Sequence, residues 1–207
     1  MHAERWLSGR KRTPGERVSG VSGFEGSNPS LSATEPEFSA ALQRARRRDE
    51  RPNLMIEKLK AELSSLKNPE KAAVLKRFFK TGNGQYGEGD IFLGIQVPVL
   101  RKTAKKYYSM HVSDILEVLK SSIHEERMVA LFMLVHKYEK GDEGERGNIY
   151  QEYLKNTEYI NNWDLVDLTA EKIVGEYLFN RPKEPLYKLA ESGMLWEIGR
   201  ASCRERV

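Results

Sequence analysis

The chain has 207 residues with 34 basic and 30 acidic side chains, so its formal net charge is only +4. This length fits one domain or a compact repeat array, and the small charge excess excludes an argument for nucleic-acid binding from overall basicity. A single cysteine, Cys203, excludes a disulfide framework and a cysteine-based zinc site. Because no apolar run is long enough to span a bilayer, we expect a soluble, cytoplasmic protein without a membrane partner.

The charge is unevenly distributed along the chain. Residues 55–110 contain 11 basic and 5 acidic side chains, whereas residues 111–196 contain 10 basic and 16 acidic ones. A polyanion could therefore bind to the first of these two segments.

Both ends of the chain have an unusual composition. Residues 1–53 have no helical or strand period and are rich in Gly, Ser and Arg, so we expect a disordered or non-native extension. Within it, residues 24–33 resemble the translation of a transfer-RNA gene. Residues 197–207 resemble the translation of a sequencing adapter. On this interpretation the natural protein begins near Met55 and is truncated after Trp196, so residues 55–196 are an incomplete domain.

The apolar spacing predicts helices from about residue 54 onwards. Leucines between Leu54 and Leu66 mark the first helix. Asn68 supplies an N-cap, and Pro69 a first-turn proline, for a second helix that runs to about Lys80. The glycine-rich stretch 82–89 prevents this helix from continuing.

The central part of the chain continues the helical pattern. Pro98 opens the next helix, and Ser113 is predicted to cap the one after it. Ser122 and Glu125 are predicted to form a capping box. The helix that follows is apolar on nearly all sides from Met128 to Val135, which is typical of a helix buried between neighbours.

The last part of the chain gives three further helices. Gly141 ends the apolar helix, and large apolar residues over 149–154 mark the next one. Asn162 can cap a helix over 163–178, and the last helix follows Pro182. Because no segment shows convincing strand alternation and helix pairs recur roughly every 40 residues, we predict an all-α fold, a truncated α-solenoid of HEAT-like repeats.

A glycine motif and the histidines could indicate a nucleotide site or a metal site, but neither interpretation is favoured. Residues 82–87 match G-x-G-x-x-G, but a helix precedes them where the dinucleotide fingerprint requires a strand, so they are interpreted as a loop. The four histidines show no metal-ligand spacing, and surface or packing roles are expected for them.

The segment Asn-Asn-Trp-Asp-Leu-Val-Asp at 161–167 carries the most information. On a helix beginning at Trp163, the Asp167 carboxylate lies one turn on and is expected beside the indole. A carboxylate on an apolar face is costly unless it is paired, so the alternative is that Asp167 caps or hydrogen-bonds a neighbouring helix in the core, with Trp163 as filler. Asp164 lies in the first turn, where the helix dipole accounts for an acid. Val166, Ala170 and Ile173 are expected to share or border the face of Trp163 and Asp167.

These residues, together with several strings earlier in the chain, resemble the AlkD-like DNA alkylation repair proteins, which are HEAT-like glycosylases for N3- and N7-alkylated purines. The strings are Asn68–Ala72, Arg77–Gly82, Gln85–Asp90, Phe92–Pro98 and Trp163–Asp167. The resemblance implies a monomer that acts on double-stranded DNA with alkylated purines, associates with the nucleoid when bound, and requires no metal and no cofactor.

The resemblance also implies site residues. Trp163 and Asp167 correspond to the family's active-site pair, and a family tyrosine aligns on Phe78, which has no hydroxyl. The arginine expected three residues after Trp196 is replaced by Gly199. Activity of this chain is therefore expected to be impaired.

The chemistry that the resemblance implies needs few groups. An alkylated purine is cationic and leaves as a neutral base, so an enzyme must mainly stabilise an oxocarbenium-like sugar. Asp167 would do this electrostatically and orient the attacking water, while Trp163 would pack against the sugar. Phe78 is a DNA-binding candidate. The basic candidates for binding phosphates are Lys76, Arg77, Lys80, Arg101, Lys102, Lys105 and Lys106, for which a solvated basic face is the alternative.

A second hypothesis is a non-catalytic helical-repeat module that binds a branched nucleic acid or a protein partner. Helical solenoids are commonly scaffolds, and the missing hydroxyl at Phe78 leaves room for a branch that binds without cutting. Release of a methylated base would separate the two hypotheses.

Overall fold

A computed structural model describes residues 54–202, and within this range the protein is helical. The α-helices are α1 (54–65), α2 (Pro69–Phe78), α3 (Val97–Lys106), α4 (Val112–Leu119), α5 (His124–Lys140), α6 (Glu143–Lys155), α7 (Trp163–Thr169), α8 (Glu184–Glu191) and α9 (Leu195–Ser202). A 3₁₀ turn covers Thr157–Tyr159 and a π-helix covers Ala170–Gly175. The described residues form no strand, only one isolated bridge between Ile91 and Ile123. The all-α prediction is confirmed, while the predicted extension over 1–53 lies outside the described residues.

The start of α2 follows the sequence prediction. The Asn68 side chain accepts a hydrogen bond from the Lys71 N–H at 2.9 Å, and Pro69 opens the helix. Gly94 packs directly on this cap with φ of +81°. A Cβ at Gly94 would lie 2.2 Å from the Asn68 carbonyl oxygen, so only glycine fits there.

Helix α5 is the centre of the core. It packs against α3, α4, α6, α7 and the π-helix, and every residue from Met128 to Val135 is buried. This confirms the prediction of a helix buried between neighbours. No helix among the residues described here is both long and apolar enough to cross a membrane.

Two of the predicted caps are wrong. Helix α5 begins at His124 after Ile123 without a side-chain cap, so Ser122 and Glu125 form no capping box. The buried Glu125 carboxylate instead accepts hydrogen bonds from the backbone N–H groups of residues 93–95, at 2.8 to 3.3 Å. Three distant donors satisfy this carboxylate better than one local donor would. Helix α4 likewise begins at Val112, before the predicted cap Ser113.

The helix predicted over 163–178 is interrupted. Helix α7 ends at Thr169, and the π-helix follows directly. The Thr169 hydroxyl donates to the Leu165 carbonyl at 2.7 Å and contacts the Tyr153 hydroxyl at 2.8 Å. A hydroxyl that bonds the carbonyl four residues back competes with the α-helical ladder, which accounts for the change of helix type at this point.

Helices α8 and α9 pack on each other at the end of the described region. In α9, the Arg200 side chain is buried and donates to the backbone carbonyls of Thr157 and Ile160 at 2.9 and 2.6 Å. The interpretation of residues 197–207 as a translated sequencing adapter is not tested by these contacts and stays a prediction.

Candidate active site and nucleic-acid interface

Helix α7 presents Trp163 and Asp167 to solvent on successive turns. The Trp163 side chain is 39% exposed, and Asp167 is exposed as well. Val166, Ala170 and Ile173, which were expected to share or border this face, are at most 1% exposed, so they belong to the core and do not share the exposed face. For Ala170 and Ile173, the π-helix after Thr169 changes the rotation per residue, so α-helical spacing from Trp163 does not extend to them. Val166 lies within α7, on the side of that helix that packs into the core.

Aromatic side chains from three parts of the chain meet beside Trp163. Its ring packs edge-on against Trp196 of α9, with 5.0 Å between ring centroids. Trp196 in turn contacts Tyr86 of the glycine-rich loop at 5.7 Å. We call Trp163, Trp196 and Tyr86 the aromatic row. Such edge-to-face pairs fix ring orientation as well as burying apolar area.

The aromatic row extends to the end of α2. The Tyr86 hydroxyl donates to the Phe78 carbonyl oxygen at 3.4 Å, and the Phe78 ring is 71% exposed. The loop comes close to α2 because Gly87 has no side chain, since a Cβ there would lie 2.5 Å from the Phe79 carbonyl oxygen. Phe78 therefore lies near the Trp163 surface although 85 residues separate them in sequence.

Gly199, which stands where the resemblance expects an arginine, faces this surface too. A Cβ built on Gly199 would lie 2.9 Å from Cζ3 of Trp163. A longer side chain at residue 199 would therefore displace the Trp163 ring or lie against it.

The basic candidates fall into two groups. Lys76, Arg77 and Lys80 are exposed around Phe78 at the end of α2. The α3 candidates, Arg101, Lys102, Lys105 and Lys106, are exposed as well. Two of them have partners within the protein: the Arg101 guanidinium lies 4.3 Å from the centroid of the Phe132 ring, and Lys106 pairs with Glu62 at 2.5 Å. The α2 group is the one that the contacts of Tyr86 join to α7.

A buried polar cluster beneath α7 was not predicted. His124 at the start of α5 contacts carboxylates on both sides, Asp164 through Nε2 at 2.8 Å and Asp90 through Nδ1 at 3.4 Å. Arg127 donates to the other oxygen of Asp90 at 2.7 Å. The Asn162 amide donates to Asp90 at 3.4 Å. We call Asp90, His124, Arg127, Asn162 and Asp164 the buried junction.

The electrostatics of the buried junction favour ionised side chains. Burial alone would lower the pKa of His124, but its hydrogen bonds to Asp164 and Asp90 outweigh burial and raise that pKa above the ordinary value. Burial would raise the pKa of Asp90, but the hydrogen bond to His124 and the charge of Arg127 hold it below the ordinary value. Over the part of the chain that the structure describes, no group of three or more His, Cys, Asp or Glu side chains is arranged to hold a metal ion.

One signal in the sequence could have indicated the buried junction. The otherwise apolar α5 begins with four consecutive polar residues, His124 to Arg127, and all four are buried. Buried polar residues need partners, so this run predicts a polar cluster. The partners lie 34 to 40 residues from the His124 or Arg127 that they contact, and the local pattern cannot identify them.

The candidate site is separate from a partly open cavity elsewhere in the described part of the chain. A cavity of about 1080 Å³ lies between α6, the π-helix and α8, and its lining includes neither Trp163 nor Asp167. Among its lining residues are Tyr138, Arg146, Tyr177, Arg181 and Tyr187.

Comparison with known proteins identifies the family. Residues 59–203, more than half of the chain, match the family model described as DNA alkylation repair enzyme. Neither the comparison with curated proteins nor the comparison with solved structures gave a match. The chain therefore belongs to the DNA alkylation repair enzyme family, which assigns it a role in DNA repair with DNA as its partner.

Proposed function

We propose that this protein is a DNA glycosylase that removes N3- or N7-alkylated purines from double-stranded DNA. The observation that carries the proposal is the exposed pair of Trp163 and Asp167 on successive turns of α7, beside the aromatic row. An exposed indole and an exposed carboxylate in one place suit a cationic, partly apolar ligand, and a deoxyribosyl oxocarbenium ion is such a ligand.

The main requirement of the reaction is electrostatic stabilisation of the transition state by the protein. The bond between C1′ and the base nitrogen breaks, its electron pair leaves with the cationic purine, and the purine departs as a neutral base. Water then adds to C1′ and releases a proton. Asp167 lowers the transition-state free energy because its negative charge faces the positive charge that develops on the sugar. The same carboxylate orients the attacking water.

The aromatic row supplies the apolar side of the site. Trp163 packs its exposed ring against the sugar and keeps bulk water from screening Asp167. Trp196 supports the Trp163 ring from the side, at 5.0 Å between ring centroids. Phe78, with its exposed ring, contacts the DNA from the end of α2.

Phosphates are bound by the basic residues around Phe78. Lys76, Arg77 and Lys80 are exposed, and the Tyr86 contacts connect their helix to the aromatic row. Positive charges at this end of α2 hold the DNA backbone without reading its sequence.

Binding of two abasic-site analogues tests the proposal without depending on turnover. One duplex carries a cationic pyrrolidine in place of the sugar, and the other carries a neutral tetrahydrofuran. The protein should bind the cationic duplex more tightly, because Asp167 is placed to meet positive charge at the sugar. Asp167→Asn should abolish this preference while leaving affinity for the neutral duplex unchanged.

Glu171→Gln is the matched control, because Glu171 is an exposed carboxylate one turn further along the chain. It should retain the preference. Equal binding of both duplexes by the unmodified protein would contradict the glycosylase and support the non-catalytic binding module.

A further inference from the structure

The buried junction lies directly beneath the proposed site, and the inference drawn from it rests on the proposed glycosylase function. We infer that Asp90, His124 and Asp164 are positioning residues, which hold the first turn of α7 so that Trp163 and Asp167 meet the sugar. None of the three is proposed to touch the DNA.

The geometry at His124 suits a doubly protonated ring. Both ring nitrogens face carboxylate oxygens, Asp164 at 2.8 Å and Asp90 at 3.4 Å. An ionised carboxylate only accepts hydrogen bonds, so both nitrogens must donate, and only the imidazolium carries two N–H groups. The His124 imidazolium thus lies between two carboxylates and bonds both. We call this arrangement of Asp90, His124 and Asp164 the clamp.

Two routes lead from Asp90 to the start of α7. The first runs through His124 to Asp164. The second runs through Asn162, whose amide nitrogen donates to Asp90 at 3.4 Å and whose amide oxygen accepts from the Trp163 N–H at 2.8 Å. The residues on both sides of Trp163 are therefore fixed to the same buried carboxylate.

Asp90 itself is held firmly. Its second oxygen accepts from Arg127 of α5 at 2.7 Å, and both side chains are at most 5% exposed. The buried junction thus joins α5, the glycine-rich loop and α7. The same stretch of chain carries Tyr86, so the buried junction and the aromatic row share this segment.

This placement matters for an electrostatic catalyst. A displacement of the reacting groups by about 1 Å can cost on the order of 10²-fold in rate. Asp164 and Asp167 are three residues apart on one helical turn, so a tilt that releases Asp164 also moves Asp167. Loss of the clamp should therefore weaken the response to positive charge on the sugar even though Asp167 is still present.

The groups around His124 determine how the clamp responds to pH. Asp164 faces it from α7, Asp90 from the loop and Arg127 from α5 itself, and the Phe92 and Phe79 rings lie 4.6 and 5.3 Å away by centroid. Loss of a proton from His124 leaves a ring lone pair facing a carboxylate. The clamp should therefore open as the pH rises.

The test uses the two abasic duplexes and compares affinities for the cationic and the neutral probe. Asp164→Ala should reduce the preference for the cationic duplex by about ten- to a hundredfold. Asp164→Asn keeps an acceptor for the His124 N–H and should retain most of the preference at low pH. In this variant the preference should fall at a lower pH than in the unmodified protein, because Asp164 no longer stabilises the imidazolium.

Glu125→Gln is the matched control, because Glu125 is a buried acid next to His124 that bonds the 93–95 backbone and not α7. It should lower the melting temperature without changing the preference or its pH midpoint. If the unmodified protein lacks the preference, the proposed function fails.

If Asp167→Asn loses the preference but folded Asp164→Ala keeps it, the positioning role is overturned. If Asp164→Ala does not fold, an unchanged pH midpoint in Asp164→Asn overturns the positioning role as well.

Discussion

The two carboxylates of α7 lie three residues apart and occupy opposite environments. Asp164 is partly buried and bonds the buried His124 at 2.8 Å, whereas Asp167 is exposed beside the aromatic row. Identical side chains in one helical turn thus carry different expected roles, one holding the helix and one facing DNA. The difference comes from what lies opposite each carboxylate, because each has the same intrinsic chemistry.

The largest expected effect is on the free energy of unfolding, which should fall far more when the buried junction is altered than when Asp167 is altered. Arg127→Met leaves the Asp90 carboxylate buried without its 2.7 Å partner, and such a loss typically costs about 3–5 kcal/mol. Asp167→Asn alters an exposed group and should change the free energy of unfolding by no more than about 1 kcal/mol. Urea denaturation of both variants measures the difference. Similar losses in the two variants would show that Asp167 also belongs to the core.

The pH dependence of stability should come from the buried junction. The folded pKa of His124 is raised, so its contribution is fully present below its ordinary pKa of 6.5 and is lost as the pH rises through the higher folded value. The folded pKa of Asp90 is lowered, so its contribution is present above 3.8 and is lost as the pH falls through the lower folded value. Urea midpoints measured across this range check both signs.

His124→Gln is the control for the loss of stability expected as the pH rises. This variant should be less stable at pH 6, and the difference from the unmodified protein should shrink as the pH rises. A difference that stays constant from pH 6 to 9 would show that His124 does not act as a cation in the folded protein.

The smallest expected effect is on the salt dependence of DNA binding, which should differ between the basic residues of α2 and those of α3. Alanine at Lys76, Arg77 or Lys80 should each reduce the slope of log affinity against log salt concentration by about 0.9, because each removes one phosphate contact. Lys106→Ala should change the slope less, since Lys106 already pairs with Glu62. Lys120, an exposed lysine directly after α4 that pairs with Glu117, gives a control outside both groups. Equal effects at Lys76 and Lys120 would argue against an interface at the end of α2.

Local patterns in the sequence predicted much of the fold. Asn68 and Pro69 identified the start of α2, because an N-cap and a first-turn proline act within a few residues. The apolar run from Met128 to Val135 identified the buried α5 for the same reason. The π-helix was missed, since it depends on the contact between Thr169 and the distant Tyr153 as well as on local spacing.

The candidate site was predictable only in part. The resemblance supplied Trp163 and Asp167, and helical spacing placed them one turn apart. Spacing alone could not show that Asp164 bonds His124, 40 residues away, or that Asn162 bonds Asp90, 72 residues away. Such pairs form only when the whole chain folds, so the dipole explanation for Asp164 was incomplete.

The most direct test of the account is the rate of 7-methylguanine release from methylated duplex DNA, measured with the protein in excess over DNA. Because Gly199 stands where an arginine is expected, the unmodified chain should release the base slowly. Asp167→Asn should lower this rate by on the order of 10²-fold while the fold and the affinity for unmodified DNA stay the same. Equal rates in the two proteins would contradict the proposal that Asp167 stabilises the oxocarbenium-like sugar as the base departs.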